Sequence, residues 1–205
     1  MNEPVNRPWI GSHYKEGWEG VRLLVLGESS YGDKATSPFV LVMHHIQQGT
    51  GHWCRTYTRF LHLLDHQNSN FSDPEQRRKI WDRLAFYNYL TEAAGRRPRT
   101  TPPEESWEKS EPAFFGFLET LDPPPDGVIV WGYRLWNALE KKRGWLKGYG
   151  NNIGKIFWPA DRSRSLPAFA LKHPSSPGMK HDEWALKLGG FLDCLRNKKA
   201  KSEGV

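Results

Sequence analysis

Short apolar runs alternate along this chain with longer segments that carry helix signals. Four of the runs are rich in β-branched, leucine and aromatic residues, which is typical of buried strands. They span residues 21–26, 84–89, 128–131 and 166–171. Because the runs alternate with segments of helical character, the pattern predicts an α/β fold. Specifically, it predicts a three-layer α/β/α sandwich around a central, mainly parallel four-stranded sheet.

Helices are expected where capping residues and prolines precede segments of helical periodicity. Such start signals occur at Ser37 with Pro38, at Asp73 with Pro74, and at Asp182. A short polar side chain at these positions accepts a hydrogen bond from the first turn, and proline suits the first helical position. The predicted helices span residues 38–48, 56–66, 74–83, 133–142 and 182–195, with a further one that ends near residue 121. Residues 153–158 are predicted as a short additional strand.

The length and charge of the chain limit its organisation and partners. A chain of 205 residues is long enough for one α/β domain and short for two. We expect a single domain over residues 1–197 and a basic, disordered tail over residues 198–205. The formal net charge of +6 permits binding to nucleic acid without requiring it, since basic clusters also occur at solvated helix ends.

Cysteine usage and the absence of several motifs narrow the functional classes. The two cysteines, Cys54 and Cys194, exclude a disulfide framework and a four-cysteine iron–sulfur cluster. No apolar run reaches membrane-spanning length and the N-terminus lacks the apolar core of a signal peptide, so we expect a cytoplasmic protein without a membrane partner. No dinucleotide-binding glycine loop or P-loop occurs, and the histidines lack zinc-site spacing. We therefore expect neither a cofactor nor a metal.

Two polar loops near opposite ends of the chain follow predicted strands. Residues 27–32, Gly-Glu-Ser-Ser-Tyr-Gly, come after the first strand, and residues 173–178, His-Pro-Ser-Ser-Pro-Gly, come after the last. Ligand sites of open α/β sheets lie at the carboxyl ends of the strands, so the two loops are expected to face each other across one cleft. Asn88 closes the second strand, and Gly132 follows the third and opens a helix.

These elements, in this order and at these strand ends, resemble the motifs of the uracil-DNA glycosylase superfamily. The resemblance covers about residues 20–195. It implies a monomeric, cofactor-free and monofunctional DNA glycosylase. Such an enzyme flips a damaged or modified base out of DNA and hydrolyses its N-glycosidic bond to leave an abasic site. DNA is therefore the implied partner.

The resemblance also assigns roles to individual residues. It implies that His173 donates a hydrogen bond to a carbonyl oxygen of the leaving base, where negative charge develops. Asn88 offers a donor and an acceptor side by side, which suits one edge of a pyrimidine. Phe60 resembles the ring on which the flipped base stacks, and Ser175 and Ser176 resemble the residues that hold the neighbouring phosphates.

The first loop departs from the superfamily pattern, in which Asp or Asn at the third position orients water. Ser29 occupies that position here. Serine is a poor base at neutral pH, so we expect Ser29 to bind the substrate and not to activate the water. The nearest carboxylates, Glu28 and Asp33, are therefore the catalytic candidates in this loop, with Glu28 preferred for orienting water or contacting the sugar. Tyr31 resembles a tyrosine that screens the 5-position of the base. Further DNA contacts are expected at Ser30, Met179 and Lys180.

The departure in the first loop leaves the substrate and two other functions open. The base is uracil or another deaminated base, or a hypermodified cytosine of the kind found in phage DNA, in which case the enzyme serves defence. The first alternative is a module that binds modified or abasic DNA without cleaving it. The second is an enzyme that hydrolyses free nucleosides or nucleotides, which requires no basic surface.

Overall fold

Seven strands form one mixed sheet in the computed structural model, which describes residues 6–32, 34–49, 51–67, 70–95, 97 and 100–203. The strands are β1 (Trp9–Ile10), β2 (Leu23–Gly27), β3 (Leu84–Asn88), β4 (Gly127–Trp131), β5 (Leu146–Gly148), β6 (Ile153–Phe157) and β7 (Ser165–Leu171). Their order across the sheet is β1-β3-β2-β4-β7-β6-β5. The four strands β3, β2, β4 and β7 pair in parallel, whereas β1, β6 and β5 pair in antiparallel fashion with their neighbours.

The α/β class and the parallel centre agree with the sequence pattern, but the prediction of a four-stranded sheet was wrong. The four apolar runs became the four central strands because these are buried on both faces and need apolar residues at successive positions. The other three strands lack such a run. β1 has two residues, and β6 alternates between exposed and buried side chains, although its position at residues 153–157 was anticipated.

Six helices accompany the sheet in the described part of the chain. They are α1 (Pro38–Gln48), α2 (Cys54–Leu64), α3 (Pro74–Trp81), α4 (Glu104–Thr120), α5 (Tyr133–Asn137) and α6 (His181–Glu203), and α5 continues into the π-helical segment Ala138–Arg143. The start signals act as the sequence indicates, because the Ser37 hydroxyl and the Asp73 carboxylate each accept a hydrogen bond from the first turn. None of these helices has both the length and the apolar character needed to cross a bilayer.

Apolar side chains of the sheet pack against helices on both of its faces. On the face that we call the first face, Val25, Phe86 and Phe169 belong to a core with residues of α1, α2, α3 and α6. On the opposite face, Leu26 and Val130 belong to a core with residues of α4 and α5. Successive residues of a strand point to opposite faces. Counting in steps of two from these core residues therefore shows which face each side chain at a strand end points to.

The end of the chain differs from the expected disordered tail. α6 continues through residues 198–203, and Lys199 donates a hydrogen bond of 2.8 Å to the Gly20 carbonyl. Arg196 pairs with Glu19 in the same loop. Lys, Ala and Glu are good helix formers, so basic composition alone does not prevent a helix from extending where its side chains find partners on the domain.

Candidate functional site

The carboxyl ends of the four parallel strands meet at one edge of the sheet. Gly27 of β2 pairs directly with Asn88 of β3, and Trp131 of β4 pairs with Leu171 of β7. The loops that begin at Gly27 and at Lys172 therefore leave the same edge. By the alternation of side chains along a strand, the first face includes Gly27, Asn88 and Trp131. The ring of His173 meets the Trp131 ring edge-on, with 6.1 Å between the ring centres.

His173 is held as a neutral imidazole with its proton on Nε2. The Ser175 backbone N–H donates to Nδ1 at 3.2 Å, and the Ser175 hydroxyl lies 2.7 Å from the same nitrogen. A backbone amide can only donate, so Nδ1 is the acceptor and Nε2 carries the hydrogen. Burial, together with the positive charge of Arg134, lowers the pKa of His173 to about 4. At neutral pH the residue is therefore a hydrogen-bond donor without a formal charge.

Asn88 lies at the neighbouring end of the sheet with its amide against Gly27. The residue is 3% exposed, and a Cβ at Gly27 would lie 2.4 Å from Asn88 Oδ1. Glycine at position 27 is thus required by the close approach of this side chain. Among the described residues, the Asn88 amide group has no hydrogen-bond partner, whereas its backbone carbonyl accepts from Asn6. The amide donor and acceptor are available to a bound molecule.

Two further polar atoms at this edge are buried without partners in the described part of the chain. They are the Ser29 hydroxyl and the indole N–H of Trp131. Buried polar atoms in folded proteins are almost always hydrogen-bonded, and an orphan one calls for an explanation. Both atoms are inaccessible to solvent in this structure, so neither can contact a ligand unless neighbouring groups move.

Glu28 is bound to Arg134, a residue that sequence reasoning missed. Arg134 donates from Nε to Glu28 Oε2 at 2.7 Å and from Nη2 to Oε1, and it also donates to the Tyr31 hydroxyl at 3.2 Å and the Thr100 carbonyl at 3.1 Å. The hydrogen bonds to Glu28 raise the pKa of Arg134 above its usual value. The sequence signal that could have identified Arg134 is its position two residues after Gly132, at the start of α5. The carboxylate is therefore oriented but not free.

The hydroxyl of Ser30 is used inside the first loop. It accepts a hydrogen bond from the Thr36 backbone N–H at 2.8 Å, and the Ser30 carbonyl accepts from Ala94 at 3.0 Å. The residue is 9% exposed. These contacts shape the loop. They leave Ser30 less suited to phosphate binding than its sequence position indicated. Asp33, the other predicted carboxylate, lies outside the described residues.

The structure contradicts the predicted stacking role of Phe60. Its side chain is fully buried, with ring centres 4.9 Å from Trp131 and 5.9 Å from Trp81. Phe60 belongs to the apolar stripe of α2 at spacings of three and four residues, which also contains Tyr57, Leu61 and Leu64. A ring packed on both sides offers no surface to a base. Exposed rings among the described residues at this edge include Tyr31, which is 39% exposed, and Tyr133, which is 43% exposed.

The second loop combines residues that hold its shape with residues that face solvent. Arg59 of α2 donates to the Pro174 carbonyl at 3.3 Å, and the Ser176 backbone N–H donates to the His173 carbonyl at 2.8 Å. Ser175 and Lys180 are exposed. Met179, the predicted wedge, is half-buried and packs against the first-face core.

We expect Arg134→Met to raise the pKa of His173, since the guanidinium charge contributes to lowering it. The substitution should also lower the free energy of unfolding by about 1–3 kcal/mol, because the Glu28 carboxylate loses its partner. An NMR titration of His173 and urea unfolding measure the two effects. The matched control is Arg164→Met, which removes a half-exposed ion pair with Glu119 and should cost under about 1 kcal/mol. An unchanged pKa of His173 would contradict the electrostatic coupling.

The site presents organic polar groups and no cluster of metal ligands among the described residues. No three His, Cys, Asp or Glu side chains of the described residues come together in a way that would hold a metal ion. The site instead presents amide, imidazole and hydroxyl groups, which suit a planar polar ligand. Comparisons with protein-family models, curated proteins and solved structures find no match to this chain.

Proposed function

We propose that this protein is a monofunctional DNA glycosylase with the three-layer architecture of the uracil-DNA glycosylase superfamily, acting as a monomer in the cytoplasm. The observation that carries the proposal is the neutral His173, whose Nε2–H lies at the same sheet edge as the Asn88 amide. Neither group has a hydrogen-bond partner among the described residues. The proposal also draws on the sequence resemblance at residues 27–32, 88, 128–132 and 173–178.

The chemistry of base release explains why a neutral donor is useful. When the C–N glycosidic bond breaks, its electrons leave with the base, and the sugar becomes oxocarbenium-like. Water then adds to the sugar carbon, and the proton that it loses is taken up through solvent by the departing base anion. Donation from His173 Nε2 to a carbonyl oxygen of the base stabilises the negative charge as it develops. Because Nδ1 is already an acceptor from Ser175, the donor is oriented before the substrate binds.

The spacing of the strands is compatible with one flipped base between Asn88 and His173. β3 and β7 are separated by β2 and β4, so their backbones lie about 14 Å apart at this edge. The Asn88 amide lies against Gly27 of β2, and the His173 ring lies beside Gly132 and Trp131 at the end of β4. Asn88 would pair with the base edge.

Glu28 is the group proposed to orient the attacking water. A carboxylate has about four acceptor positions, and Arg134 uses two of them. The remaining positions can hold a water molecule while the ion pair fixes the geometry. Tyr31, whose hydroxyl accepts from the same arginine, would limit the size of the base at its 5-position. The substrate class is uracil or another deaminated base, or a hypermodified cytosine.

The pairing of Glu28 also favours a second candidate, a module that binds modified or abasic DNA without cleaving it. Both oxygens of the Glu28 carboxylate already accept from Arg134, which leaves fewer acceptor positions for an attacking water. This candidate keeps the same pocket and the same DNA contacts. It differs from the glycosylase in releasing no base.

An abasic-site assay separates the two candidates. Purified protein is incubated with single- and double-stranded oligonucleotides that carry uracil, other deaminated bases or hypermodified cytosines, and alkaline treatment cleaves the strand wherever a base is lost. Protein-dependent cleavage of one member establishes the glycosylase and its substrate class. Salt-sensitive binding without cleavage of any member favours the binding module, and the absence of both contradicts the proposal.

A further inference from the structure

The hairpin formed by β5 and β6 has one face whose side chains are exposed in the described part of the chain. Tyr149 is 54% exposed and Ile153 is 40% exposed, and Lys147 and Lys155 are exposed beside them. The pairing of Lys147 with Lys155, and the hydrogen bond from the Tyr149 N–H to the Ile153 carbonyl, place these four side chains together. We call this set the hairpin surface.

The hairpin surface continues the first face of the sheet, on which the candidate site lies. In the pairing of β6 with β7, Ile153 is opposite Phe169 and Lys155 is opposite Pro167. Phe169 points to the first face, where it stacks on Phe191 of α6. Cross-strand partners share a face, so the hairpin surface points the same way as Phe169. α6 covers β7 at this point and leaves the sheet beyond it open.

The turn of the hairpin also lies at the same edge as the site. β6 runs antiparallel to β7, so its first residue is level with the carboxyl-terminal half of β7. Asn152 of the turn is hydrogen-bonded to β7 and to α5. Its carbonyl accepts from the Ala170 N–H at 2.7 Å, and its side-chain amide donates to the Tyr133 hydroxyl at 2.7 Å. β5 lies two strands from β7, or about 10 Å. A strand of nucleic acid that leaves the pocket can reach it directly.

The charge of the hairpin surface indicates an anionic partner. Like charges directly opposite each other destabilise an antiparallel pair, yet Lys147 and Lys155 occupy such positions. Neither lysine forms an ion pair with another described residue, and Lys147 instead lies over the Tyr149 ring. Residues 144–157 contain no Asp or Glu. Lys147 Nζ lies 5.7 Å from the centre of the Tyr149 ring, so a cation and an aromatic face are presented together.

We propose that the hairpin surface binds a single-stranded stretch of nucleic acid next to the pocket. A base stacks on Tyr149, and the phosphates on either side contact Lys147 and Lys155. Exposed aromatic rings between basic side chains are the usual means by which proteins hold unpaired strands without reading their sequence. The choice of nucleic acid as partner rests on the proposed function of the neighbouring site.

Fluorescence anisotropy with a labelled twelve-residue oligothymidylate and with a blunt duplex of mixed sequence tests this proposal. We expect Tyr149→Ala to weaken binding of the single strand about tenfold, and Tyr149→Phe to retain it, because stacking requires the ring and not the hydroxyl. We expect Lys147→Ser combined with Lys155→Ser to lower the slope of log affinity against log salt concentration by about 1.4. The matched control is Lys15→Ser combined with Lys79→Ser, two exposed lysines outside the hairpin.

The result distinguishes this proposal from the glycosylase proposal. If the hairpin variants bind the single strand as the wild-type protein does, the hairpin surface is not a nucleic-acid site, whether or not base release occurs. If they lose binding while no oligonucleotide of the panel is cleaved, the hairpin proposal stands and the glycosylase proposal fails. Equal losses for the hairpin variants and the control pair would indicate general electrostatic attraction and overturn the assignment to this surface. Unchanged thermal unfolding confirms that the exposed substitutions leave the fold intact.

Discussion

His173→Ala is expected to slow base release by about 100- to 1,000-fold under single-turnover conditions, the usual effect of removing one preorganised donor from a site of developing negative charge. Binding of the DNA should change much less, because phosphate contacts in general supply a large share of the affinity of proteins for DNA. The rate of base release at saturating enzyme measures the first quantity, and anisotropy measures the second. We also expect no drop in the wild-type rate as the pH rises from 6 to 8, since His173 with a pKa of about 4 is already neutral there.

Two control variants sharpen the test of His173. Ser175→Ala keeps the backbone N–H that holds Nδ1 and should lose less than about tenfold, because only the hydroxyl contact is removed. His13→Ala removes an exposed histidine in another part of the protein and should leave the rate unchanged. A His173→Ala rate within threefold of wild type would contradict the assigned role. A rate that falls with deprotonation near pH 6.5 would indicate a charged imidazole instead.

Acidification is expected to destabilise the fold through His45, which lies in the first-face core. Trp81 donates its indole N–H to His45 Nδ1 at 3.0 Å, so Nε2 carries the proton and donates to the Thr58 hydroxyl at 3.0 Å. Protonation would place a second hydrogen against the indole N–H. The pKa of His45 is lowered to about 3, mainly by burial and next by the positive charge of Arg77.

The direction of the pH effect follows from linkage. The unfolded chain takes up a proton on this histidine near pH 6.5, whereas the folded protein does not until about pH 3. The stabilisation is therefore complete above pH 6.5 and is lost as the pH falls towards 3, at about 1.4 kcal/mol per pH unit. His45 alone should cost about 3 kcal/mol between pH 6.5 and 4. His173 adds to the loss over the same interval, since its folded pKa is also lowered.

Urea unfolding between pH 4 and 8, followed by tryptophan fluorescence, measures this loss. His45→Gln is the informative variant, because glutamine can accept from Trp81 and donate to Thr58 without titrating. Below pH 6.5 its stability should fall less steeply than that of the wild type, by about 1.4 kcal/mol per pH unit. His13→Gln, at an exposed position, should keep the wild-type slope. Identical slopes for His45→Gln and the wild type would contradict the argument.

The sequence pattern identified the central strands because they are short, apolar and buried on both faces. It also located the starts of α1 and α3, since proline and a capping side chain act within one helical turn. It missed β1 and β5, which owe their strand conformation to pairing with residues distant in sequence. The extension of α6 beyond residue 197 likewise depends on contacts between Arg196, Lys199 and a loop near residue 20.

The same division applies to the site. Sequence reasoning placed His173, Asn88 and Glu28 at strand ends, which a parallel sheet brings to one edge. It did not show that Arg134 occupies both oxygens of Glu28, because these residues are 106 positions apart. It assigned Phe60 to the pocket, whereas α2 turns that ring into the core between two tryptophans.

The sequence by itself determined the α/β class, the parallel centre and the polar loops at its carboxyl edge, because these follow from local hydrophobic periodicity and capping chemistry. The tertiary structure alone decided the full width of the sheet, the protonation of His173, the pairing of Glu28 and the exposure of the hairpin surface. The physical reason is that burial, electrostatic coupling and cross-strand pairing arise between residues that only the folded chain brings together.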